Sequence, residues 1–479
     1  MKSTAVLSIS LNSQARTALY QQLQAALRQL IQSQRLRPGE RLPSSRELAQ
    51  VLEISRTSAL KAYDNLIAEG FLLSLPKRGI YVSDNLPTID LCGETSRPTD
   101  NLSPLTLAFD SVADVRHFPS RQWAACLRRS WLNPDPGLMM GQHPSGWPAF
   151  KQQVADYLRD LRGLDCSAEQ VLITAGNRDA LTILVQALLK DDTPIWLENP
   201  CYVQMASLFA LLGKPARAIA LDEQGAIVPD GCFGMAVITP NRQYPLGTVM
   251  SPSRRQDWLT QQQVMAKRNK PLWLIEDDYD SEFIYQGRAH VPLMQLDGSQ
   301  STFFVGSFSK VLFRGLRLGF ILAPPAQVQR LKDSQYFLGS SSALGMQPAL
   351  ADFMLGGEFA SHLRRMRRFY LNQRDLLLNT LACLTPWLTF EKNTGGMHLV
   401  AYLKSPWQTL AKDGKAWDAK VAERAEQLGL KLNCLSAHYF QGNPISGFVL
   451  GYSQLDETQM KYAVGLFKQC LQEVLSSSA

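Results

Sequence analysis

The sequence predicts an α/β chain: an N-terminal winged helix-turn-helix followed by a large domain in which strands and helices alternate. Three observations carry this. Residues 1–83 hold eleven basic residues against five acidic ones, although the 479-residue chain has a net charge of only +7. The same stretch shows three helical patterns and then two short strands around a basic turn. From Leu105 onward, apolar runs of strand length alternate with helical stripes, as in a sheet covered on both faces.

Composition narrows the class. Apolar residues make up 45% and charged residues 19%, which fits a globular chain and not a disordered one. No apolar run reaches the length of a membrane span and the N-terminus lacks a secretory core, so no membrane partner is expected. The eight cysteines are scattered with no Cys-x-x-Cys pair. That argues against a zinc site or a disulfide framework and for a reducing, cytoplasmic setting.

Residues 17–33 carry a helical stripe of Leu19, Leu23, Ala26, Leu27, Leu30 and Ile31. After a Pro-Gly turn, Ser44 or Ser45 caps a second helix ending at Leu52. Ser55 caps a third, Arg56 to Glu69, with Leu60, Tyr63, Leu66 and Ile67 expected inward and Gly70 closing it. Two strands around Pro76-Lys77-Arg78-Gly79 form the wing. In such a unit the third helix meets base edges and phosphates, here through Arg56, Thr57 and Lys61. Arg46 and the wing-tip pair Lys77 and Arg78 would hold the DNA backbone on either side. A basic face can also be merely solvated, and a winged helix can bind protein. Residues 84–104, rich in Pro, Thr, Ser, Asp and Asn, read as a linker. The domains are therefore placed at 1–83 and 105–479.

In the large domain, helices are expected over Trp123 to Trp131 and over Gly146 to Arg162, the latter with Phe150, Val154, Tyr157, Leu158 and Leu161 on one face. Val171–Thr174 is a strand that breaks at Ala175-Gly176-Asn177 into a helix, a junction whose free N–H groups suit an anion. Strands follow over 194–198, leading to Cys201-Tyr202, over 236–240, and over 272–275, ending in Glu276-Asp277-Asp278-Tyr279-Asp280. A last apolar run, Thr302 to Gly306, leads to Ser307-Phe308-Ser309-Lys310, with Arg317 seven residues on. A lysine at the end of a buried strand is costly unless paired or neutralised. A desolvated amine can form a Schiff base with an aldehyde, and a guanidinium can hold a phosphate bidentately. Aldehyde and phosphate together describe pyridoxal phosphate (PLP). A solvated lysine in a serine-rich loop is the plain alternative. Four carboxylates within five residues repel one another. One could keep a pyridinium nitrogen protonated, with Tyr279 donating to the ring hydroxyl, or the cluster could ligate Mg²⁺.

The stretch PGERLPSSRELAQVLEISRTSALKAYDNLIAEGFL is similar to the GntR-type winged helix. FPSRQW, TPNRQYPLGTVMSPSRRQDWL, IEDDYDSEF, GSFSKVLFRGLRLGF and GGMHL, in that order, resemble a fold-type I aminotransferase. Almost the whole chain thus resembles the MocR (GabR-like) subfamily of GntR regulators. The resemblance implies a PLP-dependent transferase-like large domain. In it Lys310 forms the Schiff base, Asp277 pairs with the pyridine nitrogen, Tyr279 bonds the ring oxygen and Tyr202 stacks on the ring. Ser307, Arg317 and the Gly176 and Asn177 amides hold the phosphate. It also implies a head-to-tail homodimer whose two-fold axis matches a repeated operator half-site.

The chain departs from this family in ways that bear on function. Val449, in Phe448-Val449-Leu450-Gly451-Tyr452, stands where the family has an arginine that clamps a carboxylate. Gln204 replaces a further arginine of the GABA-responsive members, Met140 a tyrosine, and Arg178 a glutamine. No arginine follows Arg424. Losing a bidentate clamp argues against efficient turnover of amino acids and against an amino-acid effector held in the usual way. The expectation is a PLP-binding transcriptional regulator that senses PLP itself and controls vitamin B6 synthesis. Its alternatives are a regulator answering to an amino acid or amine with PLP as fixed cofactor, and an active aminotransferase carrying a DNA-binding domain.

Overall fold

The computed structural model describes residues 9, 11–12, 17–33, 35–76, 78–84, 107–190, 192–287, 290–340, 342–390, 393–411 and 413–476. The chain divides into two compact units, Met1–Asn101 and Leu102–Ala479. The expected linker, beyond Asp84, lies outside the described residues, as does the wing-tip Lys77.

In the first unit, helices Leu19–Gln32, Ser45–Val51 and Arg56–Ala68 precede the antiparallel strands Leu72–Leu75 and Gly79–Val82. Ser44, and not Ser45, caps the second helix. Its hydroxyl accepts from Glu47 N at 3.2 Å while the Glu47 carboxylate accepts from Ser44 N at 3.0 Å, a reciprocal capping box. Ser55 caps the third helix, accepting from Ser58 N. That helix buries Ala59, Ala62, Tyr63 and Leu66. Leu60, expected inward, is exposed. Two alanines take the inward positions and let the helix pack closely, so the buried stripe lies about one residue's rotation away from the one its larger apolar residues mark.

The second unit is built on a seven-stranded sheet. Its order is Val171–Thr174, Gly319–Leu322, Thr302–Ser307, Leu272–Asp278, Gly234–Ile238, Ile195–Glu198, Arg217–Ile219. All pairings are parallel except the two made by Gly319–Leu322. Successive strand residues enter opposite cores: Ile173 and Phe320 pack with one cluster, Leu172 and Ile321 with another. Burial on both faces explains why these strands read as continuous apolar runs. The Pro148–Arg162 helix buries Phe150, Val154, Tyr157 and Leu158, but Leu161 is exposed. It lies past the stripe that Leu158 and Arg162 continue. A smaller antiparallel sheet, Leu388–Phe390, His398–Leu403 and Gly447–Gly451, pairs Val400 with Val449. No helix among the described residues is long and apolar enough to cross a membrane.

Candidate functional site

The first unit presents a basic face. Arg46, Arg56, Thr57, Lys61 and Arg78 are all exposed, the middle three at the start of the third helix. The Lys61 ammonium lies 4.2 Å from the Tyr20 ring centroid, a cation–π contact with the first helix. Arg41, which sequence reasoning passed over, is also exposed; it bridges to Tyr81 and runs beside Gly79, where the wing turn enters its second strand.

The second site lies at the carboxyl edge of the large sheet, where loops from neighbouring parallel strands converge. After Val171–Thr174, Gly176 takes φ +96° and opens the Asn177–Leu188 helix with no side-chain cap. The first-turn amides of a helix have no intrahelical partner, so this end offers donors and positive potential to an anion. Arg317 completes the cradle. Its guanidinium carbon lies 4.0 Å from where a Gly176 Cβ would stand. Arg317 itself is left-handed, φ +51°, a conformation that non-glycine residues keep chiefly where a site demands it. Ser307 ends the neighbouring strand, its hydroxyl accepting from Ser309 N at 3.2 Å.

The Leu272 strand runs on to Asp278, past the end expected from sequence, so alternation sorts the acidic cluster. Glu276 accepts from Met294 N at 3.1 Å and Asn241 Nδ2 at 3.4 Å. Asp278 pairs with Arg162 at 2.9 Å, and Asp280 with Arg242 at 2.5 Å. Asp277 points the other way and accepts from Asn177 Nδ2 at 2.6 Å. It has no ion-pair partner among the described residues. Burial, reinforced by the charges of Asp278, Glu198 and Asp280, pushes its carboxyl up to about 8. A buried carboxylate in want of a cation, one residue's reach from a phosphate cradle, fits a pyridinium nitrogen. So does the buried Asn177 Oδ1, which has no hydrogen-bond partner.

Lys310 donates to Ser111 O at 2.7 Å. Burial pushes its amine below the ordinary lysine value, against the opposing pull of Asp280. A lowered amine is the nucleophilic form an aldehyde needs. Tyr279 accepts from Arg242 Nη1 at 3.3 Å and packs edge-on against Tyr244, which packs edge-on against Tyr202 in turn. Lys310, Asp277, Tyr279, Tyr202, Ser307, Arg317, Gly176 and Asn177 thus all belong to loops or strand ends on one edge of the sheet. Sequence reasoning gave no role to Arg242, Ser111 or Glu198. Arg242 also donates to His398 O at 2.9 Å and fills the space beside Gly396, where a Cβ would overlap it. Glu198, pushed up to about 7 by burial, accepts from Thr239 N at 3.1 Å. A strand-end position for Arg242 was the available signal.

Where the family resemblance puts a carboxylate clamp, the structure is apolar. Val449 is buried against Val400 and Leu435, with Leu246 and Tyr439 around them. Gln204, Met140 and Arg178 are exposed. The buried guanidinium beside Lys310, that of Arg242, is already engaged by Asp280, Tyr279 and His398 O.

Comparison with known proteins agrees with this anatomy. Residues 19–82 match the gntR family of bacterial regulatory proteins, and residues 113–424 match aminotransferase class I and II. A probable rhizopine catabolism regulatory protein, MocR, of Rhizobium meliloti is 32% identical, over 98% of this chain and 97% of its own length. The HTH-type pyridoxine biosynthesis transcriptional regulator PdxR of Corynebacterium glutamicum is 31% identical, over 96% and 97%. Among solved structures, the α-aminoadipate aminotransferase LysN of Thermus thermophilus, complexed with N-(5'-phosphopyridoxyl)-L-leucine, superposes with a TM-score of 0.66. It is 22% identical and covers 78% of this chain and 93% of its own, a likeness of fold.

Proposed function

The chain belongs to the MocR group of gntR-family regulators, a winged helix joined to a class I and II aminotransferase domain, and from that premise we propose that it is a transcriptional regulator whose effector is PLP itself. The winged helix binds operator DNA through Arg46, Arg56, Thr57, Lys61, Lys77 and Arg78. The large unit binds PLP. When bound, PLP supplies an aldehyde that bonds to an amine and a pyridine ring that accepts charge. Lys310 provides the amine, Asp277 holds the ring nitrogen protonated, and Tyr279 and Tyr202 meet the ring oxygen and the ring face. Gly176, Asn177, Ser307 and Arg317 hold the phosphate. The domains run over 1–83 and 105–479, and a cytoplasmic head-to-tail homodimer would present two winged helices to a repeated site.

One observation supports the choice of effector: an apolar Val400–Leu435–Val449 cluster stands where the family resemblance puts a carboxylate clamp. An amino acid would find its amine partner, but an apolar wall where the family's clamping arginine stands. PLP needs no arginine beyond Arg317. The relative named a pyridoxine biosynthesis regulator, alike over nearly the whole chain, supports the same reading, with vitamin B6 synthesis genes as the target.

The test is a titration of PLP-free protein with PLP, following visible absorbance and affinity for its own upstream DNA in the same samples. A band that grows together with a change in DNA affinity is the expected result, and Lys310→Ala should lose both while still binding DNA. A band with unaltered DNA affinity would make PLP a fixed cofactor and refute the proposal. Steady turnover of an amino donor and an oxo acid, with DNA binding indifferent to ligand, would establish the enzyme instead.

A further inference from the structure

The long helix Glu358–Leu381 carries four arginines in five residues, Arg364, Arg365, Arg367 and Arg368. Its buried stripe is Phe359, His362, Leu363, Met366 and Tyr370. Helical spacing therefore turns Arg364, Arg365 and Arg368 to the outer side, where all three are exposed. Arg367 is engaged by Glu282 O at 3.0 and 2.8 Å. Arg365 donates to His117 O at 2.9 Å, and the His117 ring lies 4.4 Å from Phe369. These contacts fasten His117 to the helix and bring the exposed Arg116 beside it, with the exposed Arg121 following in the chain.

Three of the acids nearby are paired, and Asp456 lies on the Arg116 side of the face. Asp114 is buried and accepts from Arg116 and His117, Glu282 pairs with Arg162, and Asp352 pairs with Arg129. Arg121, Arg364 and Arg368 form no ion pair among the described residues. Clustered guanidiniums repel each other, so folding stability gives no reason for them. All are arginines, the side chain whose planar fork fits a phosphate bidentately. A face of this kind attracts a polyanion.

We propose that this arginine face of the large unit binds the phosphate backbone of DNA flanking the site held by the winged helix. DNA is the polyanion already presented to the chain, and duplex phosphates offer a continuous line of charge to a stripe of arginines. Contacts to phosphate carry no sequence information. The face therefore adds affinity and salt dependence without adding to the operator's sequence. The proposal rests on the DNA-binding part of the reading above, and its test separates the two.

The full-length chain first selects a binding site from a random pool of duplexes. Affinities are then measured for that site as a short duplex and within long flanks, over a range of salt. Wild type should bind the long duplex about tenfold more tightly at low salt. Arg364→Gln/Arg368→Gln should match wild type on the short duplex and lose the advantage of the flanks. Its slope of log affinity against log salt on the long duplex should fall by about 2, one for each phosphate the two guanidiniums would otherwise neutralise. Equal wild-type affinity for the two duplexes overturns the proposal. So does a double variant that keeps the flank advantage, or one that weakens equally on both duplexes. Failure of wild type to select or bind any duplex would remove the winged-helix reading together with this one.

Discussion

Asp277 is held in surroundings that favour its neutral form. Burial pushes it up to about 8 from an ordinary 3.8, and Glu198 and Glu276 up to about 7 from 4.5. Over the window between those values the folded chain binds more protons than the unfolded one, so stability falls as pH rises. Buried histidines oppose this, but below their ordinary 6.5, since burial lowers His362 to about 4 and pushes His398 down as well. The buried amines of Lys310 and Lys151, the latter lowered to about 8, oppose the carboxylate effect from the alkaline side, so the Asp277 contribution is read as a difference between two proteins. Between pH 6.5 and 8 the melting temperature of PLP-free wild type should fall relative to that of Asp277→Asn. A difference between the two that stays constant with pH would contradict the assignment of Asp277 as a buried acid without a cation. The sequence carried the residue types of this site but not their directions. Residue types alone did not separate Asp277 from Asp278, and only the family resemblance singled out Asp277, because the sorting depends on how far the strand runs. Once the strand reaches Asp278, alternation sends Asp278 to Arg162 and Asp277 to Asn177. Arg242 stayed unread because a buried guanidinium resembles a surface one until its partners are known.

The strand that begins at His398 is tied to the site through the Arg242 guanidinium and through the Tyr244 ring, which packs edge-on against His398. Arg242 fills the space over Gly396 and reaches Asp280, Tyr279 and His398 O. Gly396 also has φ +83°. Gly396→Ala should cost more than the roughly 1–3 kcal/mol of an unfavourable φ alone, because Arg242 must move as well. Urea unfolding checks this, and a midpoint equal to that of wild type would contradict it. Elements with a strong period or cap were legible, such as the Ser44 and Ser55 helix starts and the apolar sheet strands. Leu60 and Leu161 were misplaced because the pattern counts large apolar residues, whereas Ala59 and Ala62 buried themselves by being small.

Each unit has its own core. Among the described residues, Leu23, Leu27, Leu48, Tyr63 and Leu66 belong to a first-unit cluster, and the sheet clusters draw on residues from 107 onward. Calorimetry of the full chain should therefore show two transitions. PLP at about 100 times its Kd should stabilise the large-unit transition alone, by about 2.7 kcal/mol. A single transition, or a shift of both, would show that the cores unfold together. The division into a DNA-reading unit and a sheet unit was plain from charge and periodicity. The arginine face was not, because the Arg116 segment reaches the Arg364–Arg368 helix through tertiary contact.

The one antiparallel strand of the large sheet, Gly319–Leu322, lies between Val171–Thr174 and Thr302–Ser307. The first of these cannot join the sheet until the chain has been made beyond residue 322. The winged helix is complete at Val82. At about 5–20 residues per second, roughly 12–50 seconds separate the two events during synthesis. For that interval a nascent chain carries a finished winged helix and an open sheet. The ribosome thus releases the two units in a fixed sequence, the winged helix before the large unit.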